Sequence, residues 1–211
     1  MKITITKDGK NKTYNLPTDW NRVSIGTYMK TVQALEVNTE TQELETAGNL
    51  IHALTKIPRQ QVDELPVNYI KDINTNVVSL LSQPINDKLK FVIKIKGVEY
   101  GFHPKLREIS LGEFVDLEQY ITKGISQNMH KIMSVLYRPI VKRKGRRYQI
   151  EDYGATPIEE RAELFKEEMT VGDFNGASVF FYNFATELLK FSNRYLKTLK
   201  TKTEQLKKLA N

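Results

Sequence analysis

Apolar and polar residues alternate through Ile3 and Ile5 in "KITITKDGKNKTYNLP", break at "KDGKN" and alternate again from Thr13 to Leu16. That pattern predicts a β-hairpin, ended by Pro17. The period then changes: from Ser24 onward Ile25, Tyr28, Val32 and Leu35 recur at helical spacing, and a second helix is expected from about Glu43 to Leu54. "PRQQVDEL" and "PVNYIKDINTNVVSLLS" each open on a proline suited to a first helical turn. Beyond Pro84 alternation returns in "KLKFVIKIKGVEYGFHP", with Phe91, Ile93 and Ile95 on one face and Gly97 at the turn. Ser110 then starts a helix carrying Leu111, Phe114, Leu117 and Ile121, and "NMHKIMSVLYRP" gives another that stops before Pro139.

Hairpin, helix, helix thus occurs twice, and Gly9, Tyr14, Pro17 and Ser24 stand in the same order as Gly97, Tyr100, Pro104 and Ser110. Two explanations stay open: a degenerate internal duplication, or common parts that resemble each other by chance. Under the first, one unit covers 1–87 and the second 88–190, the latter with an inserted basic hairpin over 139–152 that turns near Lys144 and Gly145. "IEERAELFKEEM" reads as a charged helix with sparse apolar contacts at Ile158, Leu164 and Phe165. An aromatic helix follows with Phe181, Phe184, Leu188, Phe191 and Tyr195 at helical spacing, of which Phe181, Phe184 and Leu188 are expected in the core. Residues 191–211 form a basic helical tail. The expected fold class is α+β, predominantly helical, with two or three β-hairpins and an extended C-terminal helix.

"VSIGTYM", "ISLGEFV" and "MTVGDFN" repeat one short pattern: apolar, Ser or Thr, apolar, Gly, any residue, aromatic. Ser24, Ser110 and Thr170 are placed as N-caps, whose hydroxyls can accept from a free N–H of the first turn. Glu113 and Asp173 stand where a capping box needs an acid, Glu113 the better suited, while Thr27 makes the weakest case. Val23 with Tyr28, Ile109 with Phe114 and Met169 with Phe174 are spaced as hydrophobic staples. Gly26, Gly112 and Gly172 leave the second helical position bare, as the close passage of another segment would require.

The composition narrows the chemistry. None of the 211 residues is cysteine, which removes disulfides, thiolate nucleophiles and Cys-ligated metals. His52, His103 and His130 are the only histidines and none sits at ligand spacing from another, so each is expected in a structural or surface role and no cofactor or metal is expected. Neighbouring acids such as Glu159 and Glu160 point about 100° apart on a helix and form no shared acid–base site. No glycine pattern cradles a phosphate. The absence of a long apolar window or an apolar leader predicts a soluble, unsecreted protein with no membrane partner.

Charge is concentrated. "VKRKGRRY" over 141–148 carries five positive charges and no negative one; from Lys190 onward seven cations stand against Glu204 alone. The net charge is +7, so the remainder of the chain is mildly acidic. Lys142, Arg143, Lys144, Arg146, Arg147 and Tyr148 are therefore candidate contacts to an acidic partner or to phosphates. In the tail a thin stripe at Leu189, Leu196, Leu199 and Leu206 suits a partner helix, and Tyr182 joins these as a candidate contact. A nucleic-acid-binding module would need Arg143, Arg146 and Arg147 on one face with the tail lysines.

"LPTDWNRVSIGTYMKTVQAL", "ISLGEFVDLEQYI", "MHKIMSVLYRPI" and "VFFYNFATELL" resemble poorly characterised virion structural and morphogenesis proteins of tailed bacteriophages. The resemblance implies a non-enzymatic component or assembly chaperone of the tail, neck or head. Its expected partners are other phage structural proteins, in multiple copies, within the virion or in the host cytoplasm during assembly. It carries over no catalytic residue.

Overall fold

The computed structural model describes residues 1–7, 9–36, 43–84 and 87–181, with 186 and 197 beside them. The fold is α+β, with the helices outweighing the strands. Strands β1 (Lys2–Lys7) and β2 (Lys10–Asn15) form the first hairpin, its apolar side closed by Ile3 and Tyr14. A 3-10 turn at Trp20–Arg22 leads through Val23 and Ser24 into α1 (Ile25–Glu36), followed by α2 (Glu43–Thr55). Pro58 and Pro66 then stand at the N-caps of α3 (Arg59–Asp63) and α4 (Val67–Leu81), one position ahead of the first helical turn.

The second hairpin pairs β3 (Val92–Ile95) with β4 (Val98–Phe102), and Lys96 and Gly97 both take positive φ at its turn. A 3-10 turn at Leu106–Glu108, then Ile109 and Ser110, lead into α5 (Leu111–Thr122) and α6 (Ile125–Leu136). The sequence 3-10 turn, apolar residue, serine, helix therefore occurs at both places.

The third hairpin joins the second in one sheet. Helix α6 passes directly into β5 (Tyr137–Lys144), which pairs with β4 through Tyr100–Pro139, Gly101–Arg138 and Phe102–Tyr137 before turning into β6 (Arg147–Ile150). The result is one antiparallel sheet ordered β3-β4-β5-β6. Pro139 sits inside β5, so the helix ends at Leu136 because the chain becomes a strand and not because proline stops it. Gly145 at φ +61° opens the β5–β6 turn, where a two-residue loop favours glycine first.

Helix α7 (Ile158–Glu168) packs on α1 and α6, and the helix over 171–181 (α8) closes the core with Val171, Phe174, Ala177 and Phe181 buried. Phe181 is thus a core residue as expected; Phe184, Leu188 and the extended tail lie outside the described residues. One apolar cluster runs from Ile3 to Phe181 and joins the first two hairpins to the helices. In α1 the expected stripe fails at its end: Leu35 is exposed, while Thr31 is buried and donates its hydroxyl to the Thr27 carbonyl. Phe91 is likewise displaced, since β3 begins one residue later and leaves the ring in solvent.

The three repeated stretches divide into a pair and a single. Around Ser24 and Thr170 the chain forms an antiparallel bridge, with Ile25 N–H donating to Met169 O and Val171 N–H to Val23 O, both at 2.8 Å. Tyr28 meets Phe174 edge to face at 5.5 Å. A Cβ on Gly26 would lie 2.8 Å from the Lys166 carbonyl oxygen, and one on Gly172 would overlap the Asn21 side chain. Gly112 instead makes room for the Tyr153 ring. Each glycine is therefore a point of close approach.

Candidate functional site

One face of the four-stranded sheet buries Ile93, Ile95, Tyr100 and Tyr137 against the helices, with Tyr100 on Phe165 at 5.0 Å. A groove of about 1460 Å³ lies against the sheet, lined by residues of both its faces. Phe91, Phe102, Val141, Tyr148, Ile150 and Phe180 supply its apolar wall, His103, Glu113 and Arg138 its floor, and Arg143, Arg146 and Arg147 its rim. Phe91 is 62% exposed, Val141 64% and Phe180 43%, a large amount of apolar surface for one neighbourhood. Val141 projects because it is the extra residue of a β-bulge, β6 pairing with Ile140 and Lys142 on either side of it.

The sequence-predicted contacts separate here. Lys142, Arg143, Lys144, Arg146 and Arg147 are all exposed. Arg143 is committed to Glu99 at 2.8 Å and to the Gly145 carbonyl; among the described residues Lys142, Lys144, Arg146 and Arg147 form no ion pair. Register pairs Arg143 with Tyr148 and Lys144 with Arg147, and cross-strand partners share a face. Arg143 and Arg147 therefore leave the hairpin on opposite faces, although both, with Arg146, line the rim of the same groove. Tyr148 turns out to be a packing residue. Its ring lies on Gly101, and its hydroxyl sits 2.7 Å from Phe102 O and 2.9 Å from Phe91 O, which holds β6 to the rest of the sheet. Tyr182, Leu189, Leu196, Leu199 and Leu206 lie outside the described residues.

The groove floor is a buried ionic cluster built from the second repeated stretch. Ser110 and Glu113 complete a full capping box: Glu113 N–H donates to Ser110 Oγ, and Ser110 N–H to Glu113 Oε2 at 2.6 Å. The other carboxylate oxygen accepts from Arg138 Nη2 at 2.6 Å and lies 3.3 Å from His103 Nε2. Burial alone would raise the Glu113 carboxyl, but the Ser110 hydrogen bonds and the Arg138 charge outweigh it and hold the group below its ordinary range. The His103 imidazole is held low, chiefly by burial, against the opposing pull of Glu113. Arg138 is buried, its guanidinium lies 5.9 Å from the Tyr153 ring centre, and its Nε has no partner among the described residues. A second buried arginine, Arg161, donates to Ser134 O at 2.8 Å and to Glu151 at 3.2 Å.

These groups are mutually engaged. His103 Nδ1 accepts from the Lys105 N–H at 3.2 Å while Nε2 faces Glu113, so neither ring nitrogen is left for a substrate. The Tyr153 hydroxyl is bonded to Asp116, and burial followed by that carboxylate raises its pKa, away from any role as a base. No group of acids and histidines among the described residues could hold a metal ion, and no described helix is long and apolar enough to cross a membrane. The groove itself combines an apolar wall, a paired ionic floor and a cationic rim.

Sequence reasoning assigned Glu113 to the cap and missed its second role. The usable signal was Arg138, a lone cation inside the apolar run "IMSVLYRPI", which needs a buried partner. Nothing in the linear pattern paired it with Glu113. Comparison with protein-family models, with curated proteins and with solved structures returns no match for this chain.

Proposed function

We propose that this chain is a non-enzymatic structural or assembly protein of a tailed bacteriophage, working through protein contacts made on the open side of its sheet. The supporting observation is the groove itself, where Phe91, Val141 and Phe180 stay exposed beside a rim of arginines. Interfaces have this anatomy, an apolar centre inside a polar margin. The phage assignment comes from the sequence resemblance and places the protein in the virion, or in the host cytoplasm during assembly, among other phage structural proteins.

Mass spectrometry of purified particles from the encoding phage tests the reading. Many copies per particle support a structural part, and presence in infected cells with absence from particles supports a chaperone; absence from particles and from every assembly complex rejects both. A nucleic-acid role is the second reading, favoured by Lys142, Lys144, Arg146 and Arg147, four cations that form no ion pair among the described residues. It requires binding of random duplex DNA at low salt, falling steeply as salt rises.

A further inference from the structure

The sheet ends on β6, which pairs with β5 alone among the described residues. A two-residue loop makes Lys144 and Arg147 the closing hydrogen-bonded pair, so the next pair, Arg143 with Tyr148, is a non-bonded one. The main-chain N–H and C=O of Tyr148, and two residues later those of Ile150, therefore point away from the sheet. Both side chains lie together over Gly101, within the groove. On the other face Arg147 leaves the strand beside Lys144 and Lys142, while its long side chain also borders the groove rim; none of the three forms an ion pair among the described residues.

Resting on the protein-contact reading above, we infer that the outer edge of β6 receives an extended partner segment in which apolar and acidic residues alternate. Such a segment adds a fifth strand through the main-chain groups of Tyr148 and Ile150. Alternation then sends every second side chain into the groove, toward Tyr148, Ile150, Val141 and Phe91, where apolar residues fit. The intervening side chains emerge beside Arg147 and Lys144, where acids fit. A second copy of this chain is a poor occupant, because edge-to-edge pairing brings the same cations together. A phosphate backbone is also poorly served. On the groove side Lys105 is paired with Glu108 at 2.8 Å, Arg138 with Glu113 and Arg143 with Glu99, so that among the described residues only Arg146 and Arg147, at the rim, form no ion pair there.

The test is a titration of the full chain, labelled for residue-resolved amide exchange, with a blocked peptide of about eight residues alternating valine and glutamate. Saturable binding with new protection of the Tyr148 and Ile150 amides is expected. The Arg147 and Gln149 amides, already within the β5–β6 ladder, should change little. The exposed double variant Lys144→Glu, Arg147→Glu should weaken binding roughly tenfold or more, and a valine–lysine peptide should not bind. Protection that appears away from β6, absence of saturation, or binding of oligothymidylate in place of the peptide at these residues would overturn the inference. Its failure is separable from that of the functional reading, because copies of the chain in purified particles would keep the protein-contact role while rejecting this edge.

Discussion

The helix starts at Ser24 and Ser110 share one local pattern but serve different surroundings. At Ser24 the third residue of the helix is Thr27, whose N–H reaches the Ser24 hydroxyl at 3.3 Å, and the whole turn is clamped by backbone pairing with Thr170. At Ser110 the third residue is Glu113, which completes the cap and also carries the buried contacts to Arg138 and His103. A short polar side chain stays within the cap, Thr27 Oγ1 accepting from the Ser24 hydroxyl at 3.2 Å, whereas a carboxylate leaves one oxygen free to recruit a cation from another strand. The first start is consequently a joint between helices, and the second is the floor of a groove.

Removing the carboxylate should separate the two most strongly. Glu113→Ala leaves Arg138 buried without its charge partner and is expected to destabilise the fold by about 3–5 kcal/mol in chemical denaturation. Thr27→Ala should cost under about 1 kcal/mol. Adding Arg138→Met to Glu113→Ala should recover much of the loss, and no recovery would mean that the ion pair is not the cause.

The glycines give a smaller contrast of the same kind. Gly26→Ala drives a methyl against the Lys166 carbonyl, a backbone atom that moves only with α7, and should cost about 1–3 kcal/mol. Gly112→Ala meets the edge of the Tyr153 ring, which can rotate aside, and the gain in helix propensity of up to about 1 kcal/mol offsets much of the clash. Equal losses at the two sites, measured by thermal melting, would contradict this account.

Acid should distinguish the second region as well. His103 and His130 are both held below the usual imidazole value of 6.5, mainly by burial. As pH falls below about 6.5 the unfolded chain takes up these protons before the folded one, so stability is full above that pH and declines beneath it. Glu113 adds a second decline below its usual 4.5, because its folded carboxyl stays ionised to lower pH than in the unfolded chain. Urea titrations across pH 8 to 3 should show two steps, and Glu113→Gln should remove most of the lower one. Phe91→Ser, at a ring that is 62% exposed, should change stability by less than about 0.5 kcal/mol while weakening any partner bound in the groove.

Period and punctuation in the linear chain were enough to place the hairpins, the capped helices and the close approaches at Gly26, Gly112 and Gly172, because caps, turns and amphipathic faces depend on residues within a few positions of one another. The basic stretch was also legible as a hairpin, but its place in a shared sheet was not, since β4 and β5 are joined across two intervening helices. The groove was hidden for the same reason. Its wall comes from Phe91, Val141 and Phe180, and its floor from Glu113 and Arg138, residues that meet only when the chain has closed on itself. Local sequence thus determined which elements form and where they begin, because those choices are made within a helical turn or a strand pair. Tertiary structure alone decided which charges are buried together and which apolar residues stay in water, because burial depends on partners distant in the chain.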